Sequence, residues 1–226
     1  MRGISWGSGA AALGLAATML AGCATDTAKS TDDRLARAET TIANFQKDPE
    51  MTWFRDNVGR ARAVVIAPDV TRAGFIIGGS GGEALVLARD KASGQWAGPA
   101  FYNMGTASVG LLAGVDVSEI VILVMTEKAV DGLLSTDFKV GGDASVAAGP
   151  VGVGAKGTVS TDMVAFSRAK GVFGGLALDG AVIKPDMGAN AAYYGTPASP
   201  ADILVRHAVN NPSSAALQKA VSMSAQ

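Results

Sequence analysis

The chain has 226 residues, with 19 Lys and Arg against 20 Asp and Glu and a formal charge of −1. That balance excludes nucleic-acid binding through bulk charge. One cysteine and one histidine exclude a disulfide framework and a histidine-cluster metal site, and the length suits one domain with room for a core.

The chain opens on Met1-Arg2 and a short run of apolar and small residues, Ile4 to Met19. The stretch is short and rich in Gly and Ala, which fits a cleaved leader better than a spanning helix. It ends in Leu20-Ala21-Gly22-Cys23. This resembles the lipobox of a bacterial lipoprotein signal peptide. The resemblance implies that residues 1–22 are removed and that Cys23 carries diacylglycerol on its sulfur, chemistry that needs a thiolate nucleophile. Loss of the leader takes Arg2 and leaves a formal charge of −2. Each buried methylene contributes about 0.8 kcal/mol, so two or three acyl chains would hold the protein to a bilayer persistently. Ala24, where an Asp would signal inner-membrane retention by the sorting rule of enteric bacteria, favours the outer membrane. The expected location is the cell envelope, lipid-anchored.

Residues 23–33 read as a lipidated tether, small and polar and without periodicity. The folded domain is expected over 34–210, with a helical tail over 211–226. From Arg34, Leu35, Ala38, Ile42 and Phe45 recur at helical spacing. Asp48-Pro49 then suits the N-cap and first position of a second helix carrying Met51, Trp53, Phe54 and Val58. Strands are expected at Ala63–Ala67, Ala73–Gly79, Glu83–Arg89, Gln95–Met104, Ala107–Val115 and Val117–Met125, with a Gly/Ser turn between the second and third. Ile120–Met125 is apolar on both faces and should be covered on both. Thr126 is the expected N-cap of a short helix. Phe138–Ala148 alternates as one long strand, and Asp162–Arg168 and Val172–Ile183 follow. Short helices are expected at Asp186–Tyr194 and after Ser199-Pro200, then a tail helix from Asn211, frayed. Glycines at 74, 78, 110, 114, 142, 174 and 175 fall inside strand-like runs, where they mark bends or close approach. The predicted fold class is α+β: a strongly curved, Gly-rich antiparallel β-sheet or partly closed barrel with flanking short helices.

Several ordered segments carry a resemblance. They are Ala63-Val64-Val65-Ile66-Ala67-Pro68, Ala73-Gly74-Phe75, Gly82-Glu83-Ala84-Leu85-Val86 and Gly98-Pro99-Ala100-Phe101. Val121-Ile122-Leu123-Val124-Met125, Gly141-Gly142-Asp143-Ala144 and Phe166-Ser167-Arg168-Ala169-Lys170-Gly171 follow. Together, over Phe54 to Tyr194, they resemble the SYLF domain, also called the Ysc84 family. The resemblance implies an α+β fold and lipid binding without catalysis. Eukaryotic members bind phosphoinositides through an amphipathic N-terminal helix and basic residues, and some bind actin. Bacterial members are often lipoproteins. For this chain it implies anionic phospholipid as the ligand; no cofactor and no metal are expected.

Candidate lipid-binding residues are Trp53, Phe54, Arg55, Arg60, Arg62 and Arg72, aromatic wedges among cations, each cation contributing about 1 kcal/mol near an anionic surface. The same pattern fits core positions for Trp53 and Phe54 with the arginines solvated, and that reading is favoured. Gly78-Gly79-Ser80-Gly81-Gly82 matches G-x-S-x-G, with His207 as the available base. A strand-like run after Ser80 denies it the strand-to-helix elbow and favours a Gly-rich turn. Gly152-Val153-Gly154-Ala155-Lys156-Gly157 matches G-x-G-x-x-G without a following helix, so a hairpin tip is preferred to a nucleotide site. Asp131, Asp137, Asp143, Asp162 and Asp179 lack the spacing of a calcium loop. The functional readings are a lipid-binding module, an envelope scaffold that binds a protein partner and, third, a serine hydrolase using Ser80.

Overall fold

The computed structural model describes residues 13–74, 77–109, 114–152, 156, 160–169, 178 and 180–224, with no side chains placed for 13–29 or for 74, 77, 108, 109, 114 and 169. Residues 1–12 of the leader, most of the strand expected at Val172–Ile183, and Gly110, Gly174, Gly175 and Asp179 lie outside the described residues.

Helix α1 runs Leu13–Lys47 and so includes the stretch read as a tether. That stretch, Ala24–Asp33, holds neither Gly nor Pro to break a helix. The stripe Leu35, Ala38, Ile42 and Phe45 is buried as its spacing predicts. Helix α2 covers Thr52–Asn57 and continues as one 3-10 turn, Val58–Arg60. Asp48 does not cap it. The N-cap is Met51, without a side-chain bond, because the Asp48 carboxylate is taken by the Glu50 amide and by Arg168.

Among the described residues eight strands follow in one sheet: β1 (Ala63–Gly74), β2 (Ile77–Arg89), β3 (Trp96–Val109), β4 (Gly114–Val124), β5 (Phe138–Lys139), β6 (Val146–Ala148), β7 (Met163–Ala169) and β8 (Val182–Pro185). Their order is β5-β8-β3-β2-β1-β4-β7-β6. All pairings are antiparallel except β6 with β7, and the sheet curls into a half-barrel flanked by short helices, an α+β fold as predicted.

The first four strands are longer than their sequence suggests. Pro68 does not end β1, although β1 lies between β2 and β4. Proline enters a central strand only at a bulge. The ladder to β2 is broken between Ile66 and Thr71, and that to β4 between Ala67 and Val70. Gly82 faces the bulge: a Cβ there would lie 2.7 Å from the Asp69 carbonyl oxygen. The Gly/Ser turn expected after Gly79 is likewise strand. Residues 78–81 pair with β1 and residues 78–82 with β3. The long strand expected at Phe138–Ala148 is broken. Gly141 has φ 86°, and the Lys139 amide donates to the Asp143 carboxylate at 2.7 Å, closing a turn between β5 and β6.

Both sheet faces are covered. Val65, Val86, Tyr102, Ile122 and Val124 pack under α3 (Glu127–Leu133), the β5 hairpin and α5 (Pro200–Leu204). Val64, Leu85, Phe101, Val121, Leu123 and Phe166 pack under α1, α2, α4 (Met187–Tyr194) and α6 (Ser214–Ser224). Ile120–Val124 therefore faces both layers, as its apolar run predicts. Thr126 caps α3, Asp186 caps α4, and Ser199 with Asp202 forms a capping box on α5. Where β8 stops pairing, the buried Asn190 side chain takes over. It accepts from the Phe101 amide at 2.8 Å and donates to its carbonyl at 3.2 Å. The tail helix α6 is packed rather than frayed: Leu217 and Val221 are buried, and Gln46 of α1 donates to the Ala220 carbonyl at 2.8 Å.

Candidate functional site

Among the described residues, arginines gather in the belt under α1 and at one end of the sheet. Arg34 reaches Glu83 at 2.6 Å and Asp186 at 2.9 Å, and Arg37 reaches Glu83 at 3.0 Å and Asp69 at 3.3 Å. Further along, Arg168 of β7 bonds Asp48 and Glu119, each at 2.7 Å. The buried Glu119 also accepts from Asn44 at 2.8 Å and Thr41 at 3.2 Å. Burial works to raise Asp48, but the Arg168 bond and the Glu50 amide outweigh it and hold the carboxyl below its usual range. Burial likewise opposes the charged form of Asp186, and the Ala189 amide and Arg34 overcome it. Every cation here meets an anion, so the belt fastens α1 to the sheet.

The second place is the sheet end where β1 begins and β2 and β4 finish. Arg60, Arg62 and Arg89 line a cleft of about 550 Å³ with Gly59, Ala61, Met125, Ser160 and Thr161. Arg60 and Arg62 are exposed. The Arg60 guanidinium donates to the Asn57 side chain at 3.2 Å. Arg62 lies 3.5 Å from Glu127, which Lys91 approaches more closely, at 3.1 Å. Arg89 stacks on the Trp96 ring at 5.0 Å, and its buried Nε has no hydrogen-bond partner. The neighbouring Asp162 is filled by other donors: the Ser145 amide and the Thr126 and Ser145 hydroxyls hold its carboxyl at a pKa of about 2. Chemically, this end presents cations in excess of anions to an open cleft.

The residues singled out from sequence divide between roles. Trp53 and Phe54 are core. Phe54 packs against Phe45 and Phe166 with ring centroids 5.5 and 5.7 Å apart, and Trp53 lies 5.8 Å from Phe166. Arg55 folds back on the carbonyls of Gln46 and Asp48. Arg72 pairs in register with Ser80 and Asp116. It stands ten residues along β1 from Arg62, about 30 Å at strand rise. Only Arg60 and Arg62 come together, and Arg89 joins them unforeseen. Arg62 and Arg89 flank Ala63 and Ala88, and the hairpin that pairs those alanines sets the arginines opposite each other, a register that only the structure gives.

Ser80 and His207 do not meet. Ser80 is inside β2, whereas His207 lies 3.2 Å from Asp90, ten residues further along, about 30 Å by strand rise. The hydrolase pairing is thereby overturned, because a base must come within hydrogen-bond reach of its nucleophile. Residues 153–155 and 157 of the G-x-G-x-x-G match lie outside the described residues. Among the described residues no group of three or more potential metal ligands forms, and no helix is long and apolar enough to cross a membrane. Cys23 falls within α1, its side chain outside those described.

Comparison with known proteins adds the following. A family profile described as "Ysc84: Las17-binding protein actin regulator" matches residues 105–224, from the middle of β3 to the end of α6. The chain is 30% identical over 180 residues to Protein YSC84 of Saccharomyces cerevisiae, covering 74% of this chain and 38% of that protein. It is 29% identical over 180 residues to LAS seventeen-binding protein 3 of the same yeast, covering 74% of this chain and 39% of that protein. It is 29% identical over 162 residues to SH3 domain-containing YSC84-like protein 1 of Xenopus laevis, covering 70% of this chain and 48% of that protein. The chain thus spans less than half the length of these relatives. No solved structure matches.

Proposed function

The chain belongs to the Ysc84 family, also known by its SYLF domain, and from that premise we propose that it is a non-enzymatic module that binds anionic membrane surface through the arginine-lined end of its sheet. The observation that carries this reading is the set Arg60, Arg62 and Arg89 lining one cleft, with Arg62 3.5 Å from Glu127. In a chain of formal charge −1 this is a local concentration, and near an anionic bilayer each such cation contributes about 1 kcal/mol. Diacylglycerol on Cys23 would hold the domain against that bilayer, with the outer membrane as its place in the cell envelope.

Sedimentation with vesicles tests the reading. Anionic vesicles should carry the protein down in a salt-sensitive way and neutral ones should not. Equal and negligible binding to both sinks it. Mass spectrometry of membrane-extracted protein tests the anchor: residue 23 should be the first residue and carry acyl mass, and a free thiol behind an intact leader refutes it.

A second reading rests on the relatives. The matching family is described as Las17-binding and actin-regulating, which favours a protein-binding scaffold. Crosslinking in intact cells that captures one defined partner, with no preference among lipids, selects this reading over the first.

A further inference from the structure

Two stretches of chain wall a second cleft, of about 320 Å³. One is the strap between α5 and α6, residues 205–213, which contributes His207 and Val209. The other is the turn between β2 and β3, which contributes Asp90 and Gln95. Trp96 and Tyr194 also line the space. The two walls meet at a single printed pair of atoms on the surface: His207 Nε2 lies 3.2 Å from Asp90 Oδ2, and both side chains are partly exposed.

His207 is held there under strain. Its φ is 50°, and among the described residues no other residue with a side chain lies in the left-handed region. That conformation crowds Cβ against the following carbonyl, and it persists where the surroundings fix it. Here the amides on either side fix it: those of Arg206 and Ala208 donate to the Ala201 and Asp202 carbonyls of α5, at 2.8 and 2.9 Å. Asp90 is an anion throughout the neutral range, because the Ser93 amide and hydroxyl hold its carboxyl at a pKa of about 2. The other charges at the junction have partners of their own. Arg206 sits 2.6 Å from Asp202 and Lys91 sits 3.1 Å from Glu127. The Tyr194 hydroxyl donates to the Pro99 carbonyl at 2.8 Å.

We infer that His207 and Asp90 form a proton-operated clasp, which holds the strap against the β2–β3 turn in mild acid and lets it lift from the cleft as the pH rises. An imidazole changes its charge between about pH 5 and 8. Neutral, the ring gives Asp90 a hydrogen bond in one tautomer only. Protonated, it donates from Nε2 in every case and adds the attraction of opposite charges. The contact is therefore strongest at the acid end of that range and weakens toward the alkaline end. Strain at His207 supplies the opposing tendency: with the ion pair gone, relaxation of the left-handed backbone draws the ring away from the turn. Lifting the strap exposes the sides of Trp96 and Tyr194 that face the cleft.

Hydrogen exchange of the full chain, read by mass spectrometry and corrected for the intrinsic effect of pH, tests the clasp. From about pH 8 to about pH 6 the strap amides should gain about threefold in protection at low salt, the size of a partly exposed ion pair. High salt should shrink the gain. Asp90→Asn should flatten the response. His207→Asn guards against a local collapse of the turn: asparagine accepts a left-handed backbone and keeps a hydrogen bond, but takes no charge. It should stay folded and show no response to pH. Hydroxyl-radical labelling of Trp96 and Tyr194 reads the cleft itself, and should rise toward about pH 8 in the wild type while staying level in His207→Asn. Equal protection at both pH values, or an equal response in His207→Asn, overturns the clasp. A responding strap with unchanged labelling of both rings overturns its hold on the cleft.

Discussion

The arginines under α1 and those at the open end of the sheet are chemically the same, yet the fold treats them in opposite ways. Under α1, Arg34, Arg37 and Arg168 each touch two carboxylates, and the contacts join residues up to 152 positions apart in sequence. At the open end, Arg62 and Arg89 face each other across a hairpin, and the carboxylate that Arg62 meets, Glu127, is shared with Lys91. The difference teaches that cation content says little about role. A paired cation builds the structure, and an excess cation in a cleft is available to something else.

Four perturbations sharpen or break this contrast. Arg168→Ala should have the largest effect. It strips the partner from Glu119, which is 4% exposed, and from Asp48. Leaving one side of a buried pair uncompensated costs about 3 kcal/mol. Urea unfolding should show the midpoint fall, and an unchanged midpoint would deny the belt its fastening role. Gly82→Ala comes next. The added Cβ would stand 2.7 Å from the Asp69 carbonyl oxygen and 3.1 Å from the Val70 Cα, both backbone. Overpacking of this kind costs about 1–3 kcal/mol, and a wild-type thermal midpoint would show that the bulge gives way freely.

Acid should act through the carboxyls that the fold holds as anions, in the belt under α1 and beside the arginine end. The carboxyls of Asp48, Asp162 and Asp186 titrate below their ordinary range in the folded protein. A depressed folded pKa gives stability that is complete above the unfolded value and is lost as pH falls toward the folded one. The melting temperature should therefore hold at neutral pH and decline from about pH 5 downward, toward the value of about 2 at Asp162. A melting temperature flat across that window contradicts the assignment. The smallest effect belongs to Arg62→Gln. Removing one of two opposed like charges should leave stability level or raise it by up to about 0.5 kcal/mol, visible as a slight rise in the urea midpoint. A clear loss would mean that Arg62 is structural after all.

The sequence made some of this legible and hid the rest for identifiable reasons. The α1 stripe, the doubly covered Ile120–Val124 run and the caps at Thr126 and Ser199 are local patterns, and they appear in the structure as read. Pro68 and the glycines from 78 to 82 misled because their usual meaning is local, while here a bulge and a close approach across strands place them inside the sheet. Phe138–Ala148 misled in the other direction: its alternation coincides with a turn that only Gly141 betrays. At the candidate site, Arg60 and Arg62 were visible as a basic cluster. Arg89 was not, because its proximity depends on hairpin register over some two dozen residues, which single-sequence reading does not deliver.

The docking of α6 on α1 has a consequence for synthesis. Leu217 and Val221 share a buried layer with Ile42 and Phe45, and Gln46 reaches the last turn of α6 through Ala220 and Ser224. A ribosome delivers α1 before the sheet and α6 after it, so α1 waits through synthesis of all eight described strands for the residues that complete its seat. Until then the part of the layer that α6 covers stays open to chaperones, and a chain released short of Val221 would lack that cover.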